Sequence, residues 1–183
     1  NEIHQIRQDN AITFIKKSNT NGQSNGFLLH GNMLLNASNQ GLFNIEIKSN
    51  KVTSILVENS QGVNWQIEKI DNTIFVGHEK GIFTYERDNS LKLLHAVNGV
   101  WNFKQHKSRK DLIYCGTYNG IIILKKINGK WSFYKRLDGF YDSSRFIEFD
   151  NNYLWVCHPA KGFFKLALGD NLENITSFDF LNN

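Results

Sequence analysis

Four segments of the chain align on a glycine, and the four glycines follow one another at intervals of 40, 39 and 42 residues. Each segment has an apolar run, a short polar stretch, the glycine and a second alternating run, which is the pattern of a β-hairpin. Glycine suits the positive φ that such turns often require. Because chance hairpins would not keep a near-constant spacing, the chain contains an internal repeat. The aligned glycines are Gly41, Gly81, Gly120 and Gly162, in LLNASNQGLFNIEI, IFVGHEKGIFTYER, IYCGTYNGIIILKK and WVCHPAKGFFKLAL.

Two further strands fit the same period. Before the hairpin lies a segment such as Asn64–Ile70, Val100–His106 or Ser144–Asp150, and after it lies VTSILVE, LKLLHAV, WSFYKRL or ITSFDFL. Four short strands per repeat, here called a to d from inner to outer, are typical of a β-propeller blade. A leucine-rich repeat has a shorter period, and a helical repeat would show helical apolar spacing. The sequence therefore predicts an all-β chain of about four antiparallel, four-stranded propeller blades.

The repeat also predicts where each blade begins and ends. The four blades cover about 18–60, 61–98, 99–138 and 139–183, and residues 1–17 have the pattern of the end of a preceding blade. Ala11–Lys17 resembles an outer strand d, and so does the final ITSFDFLNN. Two ends of the same kind predict a partial propeller, a fragment of a larger one. Its open apolar blade faces are expected to drive self-association.

The charge of the chain is mild and dispersed. Lys and Arg total 21 and Asp and Glu 17, for a formal net charge of +4. A nucleic-acid-binding surface concentrates its basic residues, so nucleic acid is not a predicted partner. One basic run, HKSRKD, interrupts an a–b link that is short in the other repeats. Its His106, Lys107, Arg109 and Lys110 are predicted to form a solvated loop, with contact to an acidic partner as the alternative.

The two cysteines, Cys115 and Cys157, are predicted to be free. Two thiols are too few for a disulfide framework, and they lack a metal-ligand spacing. In the repeat, Cys115 aligns with Val76, whereas Cys157 aligns with Gly77. Successive residues of a strand face opposite sides of the sheet, so the two sulfur atoms should point away from each other.

Motifs of catalysis are absent from the sequence. There is no Gly-rich phosphate loop, no paired Cys or His motif and no nucleophile elbow. The carboxylates Asp138, Asp142 and Glu148 lie close in sequence, but strand alternation and loop exposure explain them as readily as acid–base roles do. The sequence therefore predicts neither an enzyme nor a cofactor.

Two histidines occupy one repeat position. His78 and His158 begin the b–c turn, where Ser38 and Thr117 stand in the other repeats. We interpret them as polar turn residues, and the alternative is that they reach a central ligand or metal. No metal site is predicted.

A candidate binding site lies at the start of strand a. In a propeller the b–c turns and the d–a loops share one face, where the first residues of strand a surround the central channel. Aromatic faces and a guanidinium suit a sugar ring or an anionic saccharide, through stacking and bidentate hydrogen bonds. The alternative is that the tryptophans pack between blades and that Arg145 pairs with Asp142. Counting back from strand b gives Asn25, Trp65, Trp101 and Arg145, flanked by Asn64, Asn102 and Ser144.

Several stretches resemble the two-component-regulator propeller repeats of large bacterial sensor proteins. These are YLWVCHPAKGFFKL (Tyr153–Leu166), IFVGHEKGIFTY and IYCGTYNGIIIL. The stretch GFYDSSRFIEFDNNYLWVCHPAKGFFKLAL is similar to members that carry a triple-tyrosine module after the propeller. The sequence departs from the family pattern at Cys157-His158 and at Ala37-Ser38, where Gly-Thr is usual.

The resemblance implies a parent protein with a signal peptide, a periplasmic propeller, a membrane helix and a cytoplasmic output domain. The chain would then be a non-catalytic piece of the ligand-sensing ectodomain, located in the periplasm, with a small-molecule or oligosaccharide ligand. Contact with the membrane would come only through other parts of that parent. The alternatives are a propeller scaffold for protein–protein interaction or dimerisation, and a propeller lyase, which would need His and carboxylate residues clustered across blades.

Overall fold

The structure is a computed structural model that describes residues 3–6, 12–15, 22–48 and 51–181. These ranges contain no helix, and so no helix that is long and apolar enough to cross a membrane. The strands are β1 (Ile3–Ile6), β2 (Ile12–Ile15), β3 (Ser24–His30), β4 (Met33–Ser38), β5 (Gly41–Lys48), β6 (Lys51–Leu56), β7 (Asn64–Ile70), β8 (Thr73–His78), β9 (Gly81–Tyr85), β10 (Leu91–Ala96), β11 (Val100–Gln105), β12 (Leu112–Thr117), β13 (Gly120–Ile127), β14 (Lys130–Arg136), β15 (Phe146–Asp150), β16 (Tyr153–His158), β17 (Gly162–Leu168) and β18 (Ile175–Leu181).

Each group of four consecutive strands from β3 onward forms one sheet, ordered as in the chain. Strand a is therefore β3, β7, β11 or β15, and each sheet lies within one of the four predicted blade ranges. Strands β1 and β2 form a separate antiparallel pair, and β2 lies within the predicted strand d at 11–17. Antiparallel four-stranded meanders of this kind are propeller blades. The predicted all-β class and four-stranded blades are confirmed.

The chain divides into two compact units, Asn1–Val76 with Thr84–Lys92 and Gly77–Phe83 with Leu93–Asn183. In the first unit, β7 contacts β3 and β4 of the first sheet. The buried side chains there include those of Leu35, Leu42, Val57 and Ile67.

The core of the second unit lies between the sheets β11–β14 and β15–β18. The ring of Tyr114 is fully buried and meets the ring of Phe149 edge-on, with 4.8 Å between the centroids. The Tyr114 hydroxyl donates a hydrogen bond to the carbonyl oxygen of Leu172. Burial of these apolar side chains is the main stabilising contribution to this unit. The cluster comprises Leu112, Tyr114, Ile121, Ile123, Leu137, Phe140, Ile147, Leu154, Val156, Phe164, Leu166, Leu168 and Leu172.

Glycines on strand b let the next strand a approach closely. A Cβ atom at Gly77 would lie 2.5 Å from the carbonyl oxygen of Val100. A Cβ atom at Gly116 would overlap the carbonyl oxygen of Ser144 in the same way. Real Cβ contacts are longer than this, so the close backbone of the next blade explains the glycines on strand b at Gly77 and Gly116.

Neither Cys115 nor Cys157 forms a disulfide bond, as the sequence predicts. Cys115 is buried on β12 and pairs with Phe103 and Ile122, whereas Cys157 on β16 is half-buried and pairs with Phe146 and Phe163.

Candidate ligand-binding site

The candidate site is built at the first residues of strand a. In β3, Ser24 pairs with Ser38 and Gly26 with Ala37, so Asn25 is the extra residue of a β-bulge. In β11, Val100 pairs with Thr117 and Asn102 with Gly116, so Trp101 is the extra residue of the same bulge. A bulge re-aims the side chain of the extra residue. Arg145 stands at the equivalent position of the fourth sheet, just before Phe146, which pairs with Cys157.

Arg145 lies over two aromatic rings. Its guanidinium carbon is 5.0 Å from the centroid of the Trp101 ring and 5.7 Å from that of Phe146. A cation within about 6 Å of an aromatic face is attracted by the quadrupole of the ring. The Arg145 side chain is exposed, and that of Phe146 is 61% exposed. The two rings therefore hold the guanidinium at the surface.

The charge of Arg145 is not neutralised by any described carboxylate. Asp142, the partner considered as an alternative, instead forms an ion pair with the Lys161 ammonium. The alternative pairing of Arg145 with Asp142 is therefore wrong. An exposed guanidinium that already rests on aromatic rings can donate to an incoming carboxylate or sulfate.

Tyr118 also belongs to this group, and it was not predicted. Its ring centroid lies 4.8 Å from that of Trp101. Its ring also occupies the space that a side chain at Gly99 would need. The available signal was its place directly after Thr117, at the start of the b–c turn that shares a face with strand a. Trp101 therefore contacts both a phenol ring and a guanidinium, and so it supports Arg145.

The side chains of the three predicted flanking residues donate hydrogen bonds to backbone carbonyl oxygens. Ser144 is fully buried, and its hydroxyl donates to the carbonyl oxygen of Asp142 at 3.1 Å. Asn102 is 8% exposed, and its Nδ2 donates to the carbonyl oxygen of Arg145 at 2.6 Å. Asn64 is fully buried, and its Nδ2 donates to the carbonyl oxygens of Ser60 and Gly62. Their side chains thus bond to nearby backbone carbonyls in this structure, and their role as polar ligand contacts stays a prediction.

Asn25 and Trp65 lie in the first unit. The Nδ2 of Asn25 donates to the carbonyl oxygen of Asn64 at 2.9 Å, which joins β3 to β7. Trp65 follows Asn64 on β7 and is half-buried. The convergence of these residues with Trp101 and Arg145 stays a prediction.

The histidines at the b–c turns cap those turns. The Nδ1 of His78 accepts a hydrogen bond from the backbone N–H of Lys80 at 3.0 Å. The Nδ1 of His158 accepts from the N–H groups of Ala160 and Lys161. In the other repeats the hydroxyls of Ser38 and Thr117 occupy this place and donate to the carbonyls of the aligned glycines. The described residues contain no group of three or more His, Cys, Asp or Glu side chains that could hold a metal ion.

The basic loop of the third blade is not simply solvated, and that prediction is corrected. His106 is buried, and its Nδ1 accepts from the N–H groups of Ser108 and Arg109 at 3.2 Å. Arg109 binds both carboxylate oxygens of Asp111 at 2.9 Å and the carbonyl oxygen of Asn171 at 3.1 Å. Only Lys107 and Lys110 of the predicted set are exposed. The loop therefore ties the third blade to the turn before β18.

The remaining carboxylates do not form an acid–base pair. Glu148 forms an ion pair with Lys104 at 2.6 Å, and Asp142 pairs with Lys161. Asp138 is exposed in the loop before β15. The exposed guanidinium of Arg145 is a group of the kind that recognises anions.

Comparison with solved structures shows that this fold is a β-propeller. Two structures of extracellular domains from B. thetaiotaomicron, of a proposed one-component and a proposed hybrid two-component system, match with TM-scores of 0.68 and 0.66 at 16% and 18% identity. The match covers 93% and 96% of this chain but 24% and 25% of theirs. The chain therefore spans about a quarter of the length of those ectodomains.

Propellers of other kinds match as well. The WD40 β-propeller domain of Doa1 has a TM-score of 0.64 at 13% identity, over all of this chain and 62% of that one. A proposed 6-phosphogluconolactonase from Bacteroides uniformis has a TM-score of 0.62 at 10% identity, over 99% and 65% of the two chains. At such identities the likeness shows the fold and not the activity. No family model and no curated protein sequence matches the chain.

Proposed function

We propose that the chain is part of the ligand-sensing ectodomain of a bacterial two-component-type or transcriptional regulator, and that it binds an acidic, glycan-derived ligand without catalysing a reaction. Three observations support this: the resemblance of its repeats to those of sensor propellers, its structural likeness to extracellular sensor domains, and the chemistry around Arg145. The parent protein would place this segment in the periplasm and would pass the signal across the membrane.

The single observation that carries the ligand class is the state of Arg145. Its guanidinium is exposed, lies 5.0 Å from the Trp101 ring and has no carboxylate partner among the described residues. A preorganised guanidinium of this kind recognises planar anions such as carboxylates with two parallel hydrogen bonds. A neutral ligand would form no ion pair with the Arg145 guanidinium.

A saccharide fits because the surroundings are aromatic and exposed. Phe146 and Tyr141 are 61% and 62% exposed on the same stretch of chain as Arg145. Carbohydrate-like ligands place their apolar ring faces on such side chains while their polar groups meet a few charged donors. A sugar acid has both an apolar ring face for the aromatic side chains and an anionic group for the guanidinium.

The test is isothermal titration with saccharides in matched acidic and neutral forms. We expect oligogalacturonate, or another acidic member of a panel of uronate and sulfated oligosaccharides, to bind. Its methyl-esterified or desulfated counterpart should bind at least about tenfold more weakly, because one charge-assisted contact is lost. Binding should also weaken as the salt concentration rises.

Two results would overturn the proposal. One is that no acidic member of the panel binds the folded protein. The other is that the neutral forms bind as tightly as the acidic ones, which would remove Arg145 as the anchor.

A further inference from the structure

Two consecutive residues of the third blade contact both the side chain and the main chain of Arg145. The Trp101 ring lies under the guanidinium, with its centroid 5.0 Å from the guanidinium carbon. The Nδ2 of Asn102 donates to the carbonyl oxygen of Arg145 at 2.6 Å, across 43 residues of sequence. Successive residues of a regular strand face opposite sides of the sheet, but the bulge at Trp101 re-aims its side chain. Both side chains therefore reach one residue of the fourth blade.

The repeat itself does not require an asparagine at this position. Gly26 and Phe146 stand at the equivalent position of β3 and β15, and Gln66 follows the aligned tryptophan in the second repeat. Asn102 is only 8% exposed, and burial of an amide costs free energy unless the amide is hydrogen-bonded. The asparagine is therefore explained by its partner, the carbonyl group of Arg145, and not by the general structure of a blade.

The third blade also holds the residue before Arg145. The backbone N–H of Ser144 donates to the carbonyl oxygen of Thr117 at 2.9 Å. Gly116 leaves room for this arrangement, because a Cβ atom there would overlap the Ser144 carbonyl oxygen and would lie 2.9 Å from the Asn102 Oδ1. A main chain that is held at two successive residues gives the long arginine side chain a fixed origin.

We propose that Asn102 is a positioning residue for the anion-binding group: its hydrogen bond to the Arg145 carbonyl fixes the main chain so that the guanidinium rests on the Trp101 ring. The role of Arg145 as the ligand anchor rests on the proposed function. Without the Asn102 amide, the main chain at Arg145 gains freedom and the guanidinium leaves the ring for part of the time. Affinity for an anion then falls, because the preorganised geometry is lost.

The first experiment needs no ligand and follows the Nε–H resonance of Arg145 by NMR. The ring current of Trp101 should shift this resonance upfield in the wild type, and Arg145→Gln identifies the resonance by its loss. We expect Asn102→Ala to move it toward the position of exposed arginines. An asparagine that only stabilised the blade would lower the melting temperature and leave the resonance in place.

Asn44→Ala is the matched control. Asn44 is 7% exposed, and its Nδ2 donates to the Met33 Sδ at 3.2 Å, in the first unit. It is therefore the same residue type with similar burial, and its loss should leave the Arg145 resonance unmoved. Circular dichroism establishes that each variant is folded, and Asn102→Ser replaces Asn102→Ala if the alanine variant is not.

The second experiment is a double-mutant cycle of Asn102→Ala and Arg145→Gln, in which isothermal titration measures the affinity for oligogalacturonate. Asn102→Ala should weaken binding at least about threefold when Arg145 is present. It should have no further effect in the Arg145→Gln background, because Asn102 acts only through Arg145. Asn44→Ala should bind as the wild type does.

The proposal is wrong if the Arg145 resonance does not move in the folded Asn102 variant, or if Asn102→Ala costs the same affinity in both backgrounds. The two proposals fail separately. If no acidic saccharide binds the wild type, the proposed function fails, and the NMR experiment still decides whether Asn102 positions Arg145.

Discussion

The guanidinium of Arg145 lies 5.0 Å from the centre of the Trp101 ring, across the boundary between the third and fourth blades. Both residues stand at the equivalent repeat position near the start of strand a, which brings them together although they are far apart in sequence. The contact gives Trp101 a role that depends on Arg145. The contact is compatible with two roles of the tryptophan, ligand binding and blade packing, which substitution of Trp101 separates.

Replacing Trp101 with alanine is expected to weaken binding of the acidic saccharide by roughly 1–3 kcal/mol, the scale of one lost aromatic contact. Trp101→Phe keeps an aromatic face under Arg145 and should retain most of the affinity. The melting temperature should change little in either variant. If Trp101 mainly packs the blades, the alanine variant would lose about 3–5 kcal/mol of stability instead. A large drop in melting temperature with unchanged affinity would contradict the binding role.

Gly116→Ala is expected to destabilise the second unit by about 1–3 kcal/mol, the usual cost of overpacking. The added methyl group would overlap the carbonyl oxygen of Ser144 and would lie 2.9 Å from the Asn102 Oδ1. Gly169→Ala is the matched control, because its nearest contact would be 3.3 Å from a flexible asparagine side chain. Chemical denaturation measures both variants. Equal stability of the two would show that the blades do not require glycine here.

The fold could be predicted from the sequence because its signals are local and repeated. The turn glycine at Gly120 has a φ of 88°, and Gly162 has a φ of 114°. Positive φ values of this size favour glycine, which explains why the repeat has glycine at both positions. The position of Trp101 and Arg145 at the start of strand a followed from the same period, counted from strand b.

The parts that could not be predicted depend on distant residues. Arg109 reaches the carbonyl oxygen of Asn171, which lies 62 residues later in the chain. Nothing in the stretch HKSRKD indicates that Asn171 is a partner of Arg109, so the sequence predicted a solvated loop. In the same way, the burial of Ser144 arises from the close approach of Gly116, which only the packing of two blades creates.

Glu173 is expected to stabilise the fold only when it is ionised. Burial acts to raise its pKa, but hydrogen bonds from Tyr134 and Lys125 outweigh that effect and leave the pKa below its usual value. A carboxyl group with a lower pKa in the folded state stabilises above its unfolded pKa, and this contribution is lost as the pH falls through the folded pKa. Glu173→Gln should therefore be less stable than wild type at neutral pH, and the difference should shrink below about pH 4.3.

Urea denaturation at neutral and acidic pH measures this difference. Glu148→Gln is the control, because the Lys104–Glu148 side chains are 39% and 65% exposed. Exposed pairs contribute at most about 1 kcal/mol, so its effect should be smaller. A stability difference for Glu173→Gln that does not change with pH would contradict the ionised role.

His106 is expected to remain neutral to a lower pH than an ordinary histidine. Burial lowers its pKa; the Asn151 carbonyl acts in the opposite direction, and the charges of Arg109 and Lys110 lower it further. Neutral His106 therefore stabilises the fold above its unfolded pKa of about 6.5, and this contribution is lost as the pH falls through the folded pKa. An NMR titration should give a midpoint below that of the same histidine in the denatured chain. A midpoint at or above that value would mean that the ring is solvated.

The most direct test of the account is the affinity of Arg145→Gln for the acidic saccharide, measured by isothermal titration beside wild type and Lys126→Gln. Lys126 also lies over an aromatic ring, 5.5 Å from the centre of Trp131, but at the β13–β14 hairpin. We expect Arg145→Gln to bind at least about tenfold more weakly, a loss of about 1.4 kcal/mol, with an unchanged melting temperature. Lys126→Gln should bind as wild type does. Wild-type affinity in Arg145→Gln would contradict the proposed role of Arg145 as the anchor of an acidic ligand.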